Sequence, residues 1–321
     1  MKPMETKILK GENVRDRLFS EVKNDVSLLQ RIYGKVPGIA FIGFAGVPLG
    51  KYNMPLHIGS ARQLGFRVES RVMPEDVTEE SLTMAIDELN SDVEIDAIVV
   101  LQPLPAHLNP LLIAGKIDPA KEVEGFHPLN LAGTLMPDTK INEYPMCLPA
   151  ALAGIFVEEG IVPAKDQEWV FLLDDEFFSN PLTWMIVRAA ASKAVPKDCP
   201  VSFINRNSEK IAELCGRADY LVVVSKYPEY VRPEWLKQGV MIIDIYSNLV
   251  KEVPSKNDPS RLVPVIRGGV NLESVMNIAG MIIPVPGGLM TAVLGILFRN
   301  TLDSFRKRIA ASSVRKEYIP V

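Results

Sequence analysis

Short apolar runs alternate with amphipathic stretches along the first half of this chain. Residues 38–44 and 95–101 are mostly apolar, and residues 67–72 between them are predicted as a further strand. The stretch that closes at Gly65 and residues 79–90 have the spacing of helices. Apolar runs of this length are typical of strands covered on both faces. The alternation therefore predicts a parallel sheet, with ligands beyond the carboxyl ends of its strands.

The second half repeats this alternation. Further apolar runs typical of buried strands lie at 169–173, 201–204, 220–224, 240–245 and, more briefly, 262–266. Helices are predicted over residues 148–159 and, beginning at Pro181, to residue 194. The last helix is predicted over residues 290–309, with a polar, loosely held tail at 310–321. The second half thus predicts a Rossmann-like domain, and the whole chain predicts an α/β protein of two domains.

Length and charge narrow the class of protein. A chain of 321 residues, 47% of them hydrophobic, is longer than a single core usually grows, which agrees with two domains. Its 35 basic and 39 acidic side chains nearly balance, so neither nucleic acid nor an anionic membrane is expected as a partner. The chain starts without an apolar leader and has no uncharged run of membrane-spanning length. These features predict a cytoplasmic protein.

The three cysteines, Cys147, Cys199 and Cys215, are unevenly spaced and form no CxxC or Cys/His cluster. Their pattern supports neither a disulfide framework nor a zinc site. We therefore predict a reducing compartment and no bound metal. Cys147 has no histidine partner in the sequence that would favour a nucleophile, and it is interpreted as a buried thiol.

Three short motifs carry most of the chemical information. They are Val-Val-Leu-Gln-Pro-Leu-Pro at 99–105, Glu-Val-Glu-Gly-Phe-His-Pro-Leu-Asn at 122–130 and Ile-Ile-Pro-Val-Pro-Gly-Gly-Leu-Met-Thr at 282–291. In the third motif, the prolines and glycines predict a rigid corner that aims the N-terminus of the last helix at a ligand. In order and spacing the motifs resemble the methylenetetrahydrofolate dehydrogenase/cyclohydrolase family, bifunctional enzymes of one-carbon metabolism.

The resemblance implies a fold and an assembly. It implies a folate-binding lobe, a three-layer structure around a parallel sheet, over residues 1–148 with the last helix, 290–309, packed on it. A Rossmann-like dinucleotide lobe follows over residues 149–289, with a cleft between the two lobes. The implied substrate is a tetrahydrofolate derivative, and the implied cofactor is NADP. The resemblance also implies oxidoreductase and hydrolase activities and a homodimer that pairs the dinucleotide lobes.

The residues at the family's one-carbon site differ in this chain. The family has a tyrosine and a lysine one helical turn apart, and a glutamine that orients the lysine. Counting back from Gly65 without gaps places Asn53 on the tyrosine and His57 on the lysine. A shift by one residue places Tyr52 on the tyrosine but Leu56 on the lysine. Neither alignment supplies a lysine.

The resemblance therefore implies Tyr52, His57 and Gln102 as catalytic residues, although Gln102 stands one position from the family's glutamine along a strand end. A neutral His57 can accept a proton near neutral pH. It can equally be a partly buried helix residue that makes a hydrogen bond, and both interpretations stay open. Because no lysine stands one turn after Tyr52 or Asn53, we predict that cyclohydrolase activity is weak or absent.

Seven residues are implied as substrate contacts: Asn53, Pro103, Leu104, Glu124, Pro286, Gly287 and Gly288. Glu124 takes the place of an aspartate that hydrogen-bonds the pterin ring in the family. It keeps the charge and allows a two-point contact. Glu122 stays open between a site residue and a solvated loop acid. Because this lobe keeps more of the family's pattern, we predict stronger residual binding of the pterin than of NADP.

The dinucleotide loop departs further from the family. Where the family has Gly-Arg-Ser beside the pyrophosphate, residues 174–176 are Asp-Asp-Glu, and their charges oppose phosphate. This loop predicts weak NADP binding. Asn205, Arg206 and Ser208 follow the next strand, where an arginine and a hydroxyl can hold the adenosine 2′-phosphate. These three residues are the predicted cofactor contacts.

Three functions agree with this sequence. The first is an active methylenetetrahydrofolate dehydrogenase with reduced cyclohydrolase activity. The second is a non-catalytic paralogue that keeps the fold as a folate-binding or assembly subunit, and the third is an enzyme of changed small-molecule specificity. A resemblance of fold does not choose among them. Residues 174–176 discriminate between the enzyme and the non-catalytic paralogue. A binding protein without a dinucleotide tolerates acidic residues at these positions, whereas an NADP-dependent enzyme does not.

Overall fold

The chain divides into two units. In the computed structural model, residues 5–135, 144–174 and 199–317 are described, the last six of them and residues 134–135 by their backbone alone. One unit comprises residues 1–15 and 148–293, and the other comprises residues 16–147 and 294–321. We name them the six-stranded unit and the three-stranded unit after their parallel sheets. Residues 1–15 thus lie with the six-stranded unit, whereas the sequence analysis assigned them to the folate lobe.

The three-stranded unit contains a parallel sheet in the order β3-β2-β4. Its strands are β2 (Gly38–Phe44), β3 (Arg67–Met73) and β4 (Ala97–Val100). Most of α1 (Glu12–Tyr33) belongs to this unit, which also contains α2 (Gly50–Gln63), α3 (Glu79–Ser91), α4 (Pro110–Ala114) and α5 (Pro128–Leu135). Helix α1 begins in the six-stranded unit and crosses the boundary at residue 16.

Side-chain caps and apolar packing fix these elements. The Thr78 hydroxyl accepts from Ser81 N at the start of α3, and the Asn109 amide oxygen accepts from Leu111 N at the start of α4. Every residue of β2 is buried, as expected of a central strand covered on both faces. Ile42 and Ile98 of the sheet pack with Ile86 of α3 in one apolar cluster. Because β2 and β4 pair in parallel, their carboxyl ends lie at the same edge of the sheet.

The six-stranded unit contains a parallel sheet in the order β1-β11-β8-β7-β5-β6. Its strands are β1 (Lys7–Ile8), β5 (Trp169–Leu173), β6 (Val201–Ile204), β7 (Tyr220–Val224), β8 (Met241–Asp244) and β11 (Met281–Ile283). Its helices are α6 (Cys147–Glu159), α7 (Ile211–Cys215) and α8 (Leu272–Val275), with a short 3-10 turn at Pro233–Trp235. Helix α9 (Leu289–Glu317) begins in this unit and belongs to the three-stranded unit from residue 294 onward. The order changes direction at β5, because β6 lies on one side of it and β7 on the other.

The predicted α/β fold with a Rossmann-like second half is confirmed, and two details differ. Residues 262–266 belong to β10 (Leu262–Arg267), which pairs antiparallel with β9 (Asn248–Pro254) in a separate two-stranded sheet. Partly exposed side chains along β10 explain why it stays outside the buried parallel sheet. Helix α9 continues to Glu317, beyond its predicted end at residue 309. The helix predicted over residues 181–194 lies outside the described residues.

Candidate functional site

Helix α2 carries the first group of predicted site residues. Asn53 Nδ2 donates to Gln102 O at 3.2 Å, so this helix contacts the loop that follows β4. His57 Nδ1 lies 2.7 Å from Asn53 O, one helical turn back. Because a carbonyl oxygen only accepts, Nδ1 carries the proton and Nε2 keeps its lone pair. The structure therefore brings Asn53, His57 and the backbone of Gln102 together.

The environment of His57 keeps its ring neutral. The ring packs edge-on against Phe41 of β2, with 5.7 Å between the centroids. Burial lowers the pKa of His57 below its usual value, although the hydrogen bond to Asn53 O acts in the opposite direction. At neutral pH, His57 is therefore a neutral imidazole with a basic Nε2, and it also makes the local hydrogen bond expected of a helix residue. The geometry is compatible with both interpretations of His57.

Tyr52, Pro103 and Leu104 have different surroundings. The ammonium of Lys51 lies 5.2 Å from the centroid of the Tyr52 ring. The Gln102–Pro103 peptide bond is cis, and Pro103 is half-buried. Leu104 packs against the apolar core of the three-stranded unit. Leu104 therefore contributes to the core that supports the loop as well as to the predicted substrate wall.

Glu122 organises the loop that follows residue 121. Its side chain is 2% exposed, so the interpretation as a solvated loop acid is wrong. The carboxylate accepts hydrogen bonds from Glu124 N (3.0 Å), Gly125 N (3.1 Å), His127 N (2.8 Å) and Asn130 Nδ2 (3.2 Å). Burial raises the pKa of Glu122, and these four donors act against that rise. One carboxylate thus satisfies donors along nine residues of chain.

Glu124 has the opposite environment. It is half-buried, and no hydrogen bond to its carboxyl group is found in the part of the chain that the structure describes. Burial, and then the charge of Glu122, raise the pKa of Glu124 to about 8. At neutral pH the group is therefore mostly protonated, with one donor and one acceptor. The predicted charged two-point contact becomes a contact that both donates and accepts.

Contacts on both sides of residues 122–125 fix the backbone at Glu124. Cys147 N donates to Glu124 O at 3.0 Å, and Asn300 Nδ2 donates to Val123 O at 2.8 Å. Gly125 has φ +91°, and a Cβ there would lie 2.6 Å from the Cα of Met146, so only glycine fits. The sequence analysis left the role of Glu122 open and did not identify Asn300, because their partners are backbone groups or lie far away in sequence.

The Pro-Gly-Gly corner lies at the carboxyl end of β11. The Val285–Pro286 peptide bond is cis, and Gly287 has φ +92°, a conformation that favours glycine. Gly287 O accepts from Gly11 N at 2.9 Å, and helix α9 begins after Gly288. The corner therefore belongs to the six-stranded unit, and the strand–corner–helix order predicted from the sequence is present.

A second polar group occupies the edge of the six-stranded sheet where the strand order changes direction. We name Asp174, Arg206, Ser225 and Tyr227 the switch-point cluster; they follow β5, β6 and β7. Ser225 Oγ donates to Asp174 Oδ2 at 3.1 Å, and Arg206 Nε lies 3.8 Å from Asp174 Oδ1. The Arg206 guanidinium stacks on Tyr227, with its carbon 4.0 Å from the ring centroid. In open α/β sheets this position is where nucleotides bind.

The predicted cofactor residues surround this cluster. Asn205 Nδ2 donates to Leu173 O at 3.3 Å, and its amide oxygen accepts from Asn207 N at 3.1 Å. The Ser208 hydroxyl oxygen accepts from Lys210 N at 3.2 Å, which leaves its O–H as a donor. Arg206 therefore presents a partly exposed guanidinium, and the Ser208 hydroxyl can still donate a hydrogen bond.

Asp174 does not face the cofactor position as an uncompensated charge. Its side chain is 3% exposed, and Arg206 and Ser225 offset its charge. The repulsion predicted from residues 174–176 is therefore reduced at Asp174. Residues 175 and 176 lie outside the described residues.

Membrane-spanning helices and clusters of metal ligands are both absent from the described ranges. Every helix there is too short or too polar to cross a bilayer. In the same ranges, no three His, Cys, Asp or Glu side chains gather as a metal site would require. Cys147 is fully buried, and burial raises the pKa of its thiol well above the usual value, as expected of an unreactive thiol.

The two units and their strand-end clusters define an α/β protein with a Rossmann-type nucleotide domain. Residues 9–124 match the model of the tetrahydrofolate dehydrogenase/cyclohydrolase catalytic domain, and residues 146–309 match the NAD(P)-binding domain of the same family. The chain belongs to the tetrahydrofolate dehydrogenase/cyclohydrolase family.

Relatives cover almost the whole chain. The bifunctional protein FolD of Desulfosudis oleivorans is 32% identical over 306 residues, covering 95% of this chain and 99% of the relative. FolD of Desulfatibacillum aliphaticivorans is 33% identical over 303 residues, covering 94% and 98%. The Trypanosoma brucei methylenetetrahydrofolate dehydrogenase-cyclohydrolase, solved with NADP and an inhibitor, is 26% identical with a TM-score of 0.81, covering 95% of this chain and 99% of that one.

These matches confirm the resemblance drawn from the motifs. They give no support to the non-catalytic paralogue. The matched NAD(P)-binding domain and the NADP complex of the trypanosomal relative likewise give no support to the expected weakness of NADP binding.

Proposed function

We propose that this protein is a methylenetetrahydrofolate dehydrogenase/cyclohydrolase of one-carbon metabolism that uses NADP. The observation that carries the proposal is the match of both family domains, in order, across nearly the whole chain. The bifunctional relatives support it over the same length. Two polar clusters at strand ends, one in each unit, agree with a site for a folate and a site for a nucleotide.

The three-stranded unit supplies the substrate contacts in this proposal. Glu124, protonated at neutral pH, donates one hydrogen bond and accepts another at the edge of the pterin ring. Asn53 spans from helix α2 to the loop of Gln102 and sets the spacing of these walls. Pro103, together with Tyr52, lines the ring, while Leu104 supports the loop from the core.

His57 is the proposed proton acceptor for the hydrolysis of the methenyl bridge. Its neutral ring and its Nδ1–H bond to Asn53 O leave Nε2 to accept a proton from the attacking water. An imidazole does not supply the permanent charge that a lysine brings near neutral pH. Cyclohydrolase activity is therefore expected to be well below dehydrogenase activity.

The six-stranded unit supplies the nucleotide contacts in this proposal. Bound NADP would supply the hydride acceptor for oxidation of the methylene carbon of the folate. Arg206 and Ser208 hold the adenosine 2′-phosphate, and Asn205 fixes the turn between them and β5. Gly287 and Gly288, after Pro286, allow the chain to turn tightly at the carboxyl end of β11, where a ligand can approach the backbone.

Two further properties are proposed from the same resemblance. The protein pairs its six-stranded units into a homodimer, which light scattering on the purified protein tests by its mass. It works in the cytoplasm, in agreement with three cysteines that form no disulfide.

Calorimetric binding of NADP, NAD and tetrahydrofolate, followed by separate assays of the two activities, tests the proposal. We expect NADP to bind more tightly than NAD, and methylenetetrahydrofolate to be oxidised with formation of NADPH. If neither nucleotide nor tetrahydrofolate bound, the proposal would be refuted and an enzyme of changed specificity would be favoured.

The role of His57 has its own pair of variants. His57→Lys should raise hydrolysis of methenyltetrahydrofolate, whereas Leu56→Lys should not, because only His57 makes the turn-spanning contact with Asn53. His57→Ala should reduce hydrolysis by about 10²-fold, the lower end for a positioned acid or base. A response to Leu56→Lys alone would show that the other alignment of this helix is the correct one.

A further inference from the structure

The switch-point cluster contains two residues with no assigned role, Asp174 and Tyr227. We propose that these two residues set the preference for a 2′-phosphorylated nucleotide. Tyr227 orients the Arg206 guanidinium so that its N–H groups can reach the phosphate, and the Asp174 carboxylate competes with the phosphate for the positive charge of Arg206. The inference rests on the proposed use of NADP. It adds specificity-determining residues to that function.

Tyr227 orients the Arg206 guanidinium through its ring face, so the N–H donors of Arg206 are not used in this contact. The guanidinium carbon lies 4.0 Å from the ring centroid, so the planar cation covers the face of the ring. In this arrangement the N–H groups point outward in the guanidinium plane, where they can meet the oxygens of a phosphate in pairs. Tyr227 is 44% exposed, which places the stack at the surface and within reach of a ligand.

The backbone of Arg206 is fixed on the same side. Tyr230 OH donates to Arg206 O at 3.1 Å, and the rings of Tyr230 and Tyr227 lie 6.3 Å apart. A side chain that is already ordered loses less freedom when a phosphate binds. Tyr227 therefore acts as a positioning residue for Arg206.

Asp174 is an anion near Arg206 that does not consume its donors. The 3.8 Å between Arg206 Nε and Asp174 Oδ1 exceeds hydrogen-bond distance, so the interaction is one of charge alone. The hydroxyl of Ser225 gives Asp174 its hydrogen bond, at 3.1 Å. The carboxylate thus stays buried and offsets part of the positive potential that a phosphate would meet. Removing its charge should strengthen phosphate binding.

Two small nucleotides separate this effect from the rest of the cofactor. Adenosine 2′,5′-bisphosphate carries the 2′-phosphate, and 5′-AMP lacks it. Both are titrated by calorimetry into the intact protein and its variants at fixed low salt. For the unaltered protein we expect the bisphosphate to bind about tenfold tighter than AMP.

Asp174→Asn keeps the shape and the acceptor for Ser225, and it should tighten bisphosphate binding about three- to tenfold while leaving AMP unchanged. Tyr227→Leu should weaken bisphosphate binding about fivefold, and Tyr227→Phe, which keeps the ring face, should restore it. Arg206→Gln should abolish the difference between the two nucleotides. A thermal melt of each variant checks that it is folded.

Three outcomes would overturn the inference. Weaker bisphosphate binding in Asp174→Asn would make Asp174 a support for Arg206 rather than its competitor. Equal affinity of the unaltered protein for the two nucleotides would remove the specificity, and equal affinity of Tyr227→Leu and Tyr227→Phe would remove the role of the ring. If NADP still bound tightly to the unaltered protein in any of these cases, the proposed function would stand without the inference. If NADP did not bind at all, the proposed function and the inference would both fail.

Discussion

Two buried carboxylates, Glu122 in the three-stranded unit and Asp174 in the six-stranded unit, belong to loops that carry predicted site residues, and their partners differ. Glu122 accepts from three backbone N–H groups of one loop and from the side-chain amide of Asn130 in helix α5. Asp174 accepts from one hydroxyl and faces a guanidinium at 3.8 Å. Fixed backbone donors make Glu122 part of the architecture, whereas Asp174 faces a cation that remains available to a ligand.

The neighbours of these acids extend the comparison. Beside Glu122, Glu124 has a pKa raised to about 8 because it is buried near another carboxylate. Beside Asp174, Arg206 keeps its positive charge and presents it at the surface on Tyr227. The loop of the three-stranded unit therefore offers a neutral acid to a ligand, and the strand end of the six-stranded unit offers a cation.

Removing the Glu122 carboxylate should produce the largest effect on stability. Glu122→Ala leaves four donors without their acceptor, and we expect the free energy of unfolding to fall by about 3–5 kcal/mol. Urea unfolding of the two proteins measures this difference. Glu124→Gln serves as the matched control and should not lower the free energy of unfolding by more than about 1 kcal/mol. A loss below about 1 kcal/mol in Glu122→Ala would contradict the architectural role.

Asp244 at the end of β8 tests whether the six-stranded unit has an equivalent of Glu122. It is buried and accepts from Gly269 N at 3.1 Å and Val270 N at 3.0 Å. Asp244→Ala should lower the free energy of unfolding by about 2–3 kcal/mol, because two buried donors lose their acceptor. Hydrogen exchange at these two amides should accelerate, and Asp244→Asn, which keeps one acceptor, should lie between the two. If hydrogen exchange at the Gly269 and Val270 amides did not change, Asp244 would not have the architectural role of Glu122.

The pH dependence of stability should distinguish Glu124 from its neighbour. Its pKa in the folded protein is about 8, above the usual 4.5, so the folded state binds this proton more tightly than the unfolded state. Stability from this group is full below pH 4.5 and is lost as the pH rises toward about 8. We expect Glu124→Gln to remove a decline of at least about 1.4 kcal/mol, the equivalent of one pKa unit. Parallel curves for the two proteins would contradict the raised pKa.

The smallest effect is expected at the switch-point cluster. Arg206→Gln should change the free energy of unfolding by less than about 0.5 kcal/mol, because its ion pair is long and its side chain is partly exposed. Thermal unfolding measures this value. A loss as large as that in Asp244→Ala would place Arg206 in the architecture and remove the contrast between the two carboxylates.

The parallel strands could be predicted because their sequences contain runs of buried apolar residues. Residues 169–173, 201–204 and 220–224 were predicted with the observed bounds. The two-residue strand β1 could not be predicted, because its partner β11 lies near the other end of the chain. The pairing of β10 with β9 was missed for a related reason, since an apolar run does not show which strand will pair with it.

A site residue could be predicted where its amino-acid type alone sets its chemistry. It could not be predicted where its chemistry depends on the residues that contact it in the fold. Arg206 and Glu124 were found by their place after a strand or in a motif. Glu122 has the same charge as Glu124 two residues away, and only the fold shows that one accepts four hydrogen bonds while the other is protonated near neutral pH. Tyr227 was not identified at all, because its role depends on the stack with Arg206.

The pairing of β1 also sets an order of events during synthesis on the ribosome. The Thr6 hydroxyl donates to Ala279 O at 2.6 Å, and these residues are separated by 273 positions. The strands of the three-stranded sheet all lie between residues 38 and 100, so they emerge early and can pair while translation continues. The segment of Lys7 and Ile8 must wait until Met281–Ile283 has left the exit tunnel. The first strand to be made is therefore among the last to be folded, and a nascent chain stalled before residue 281 holds it without a partner.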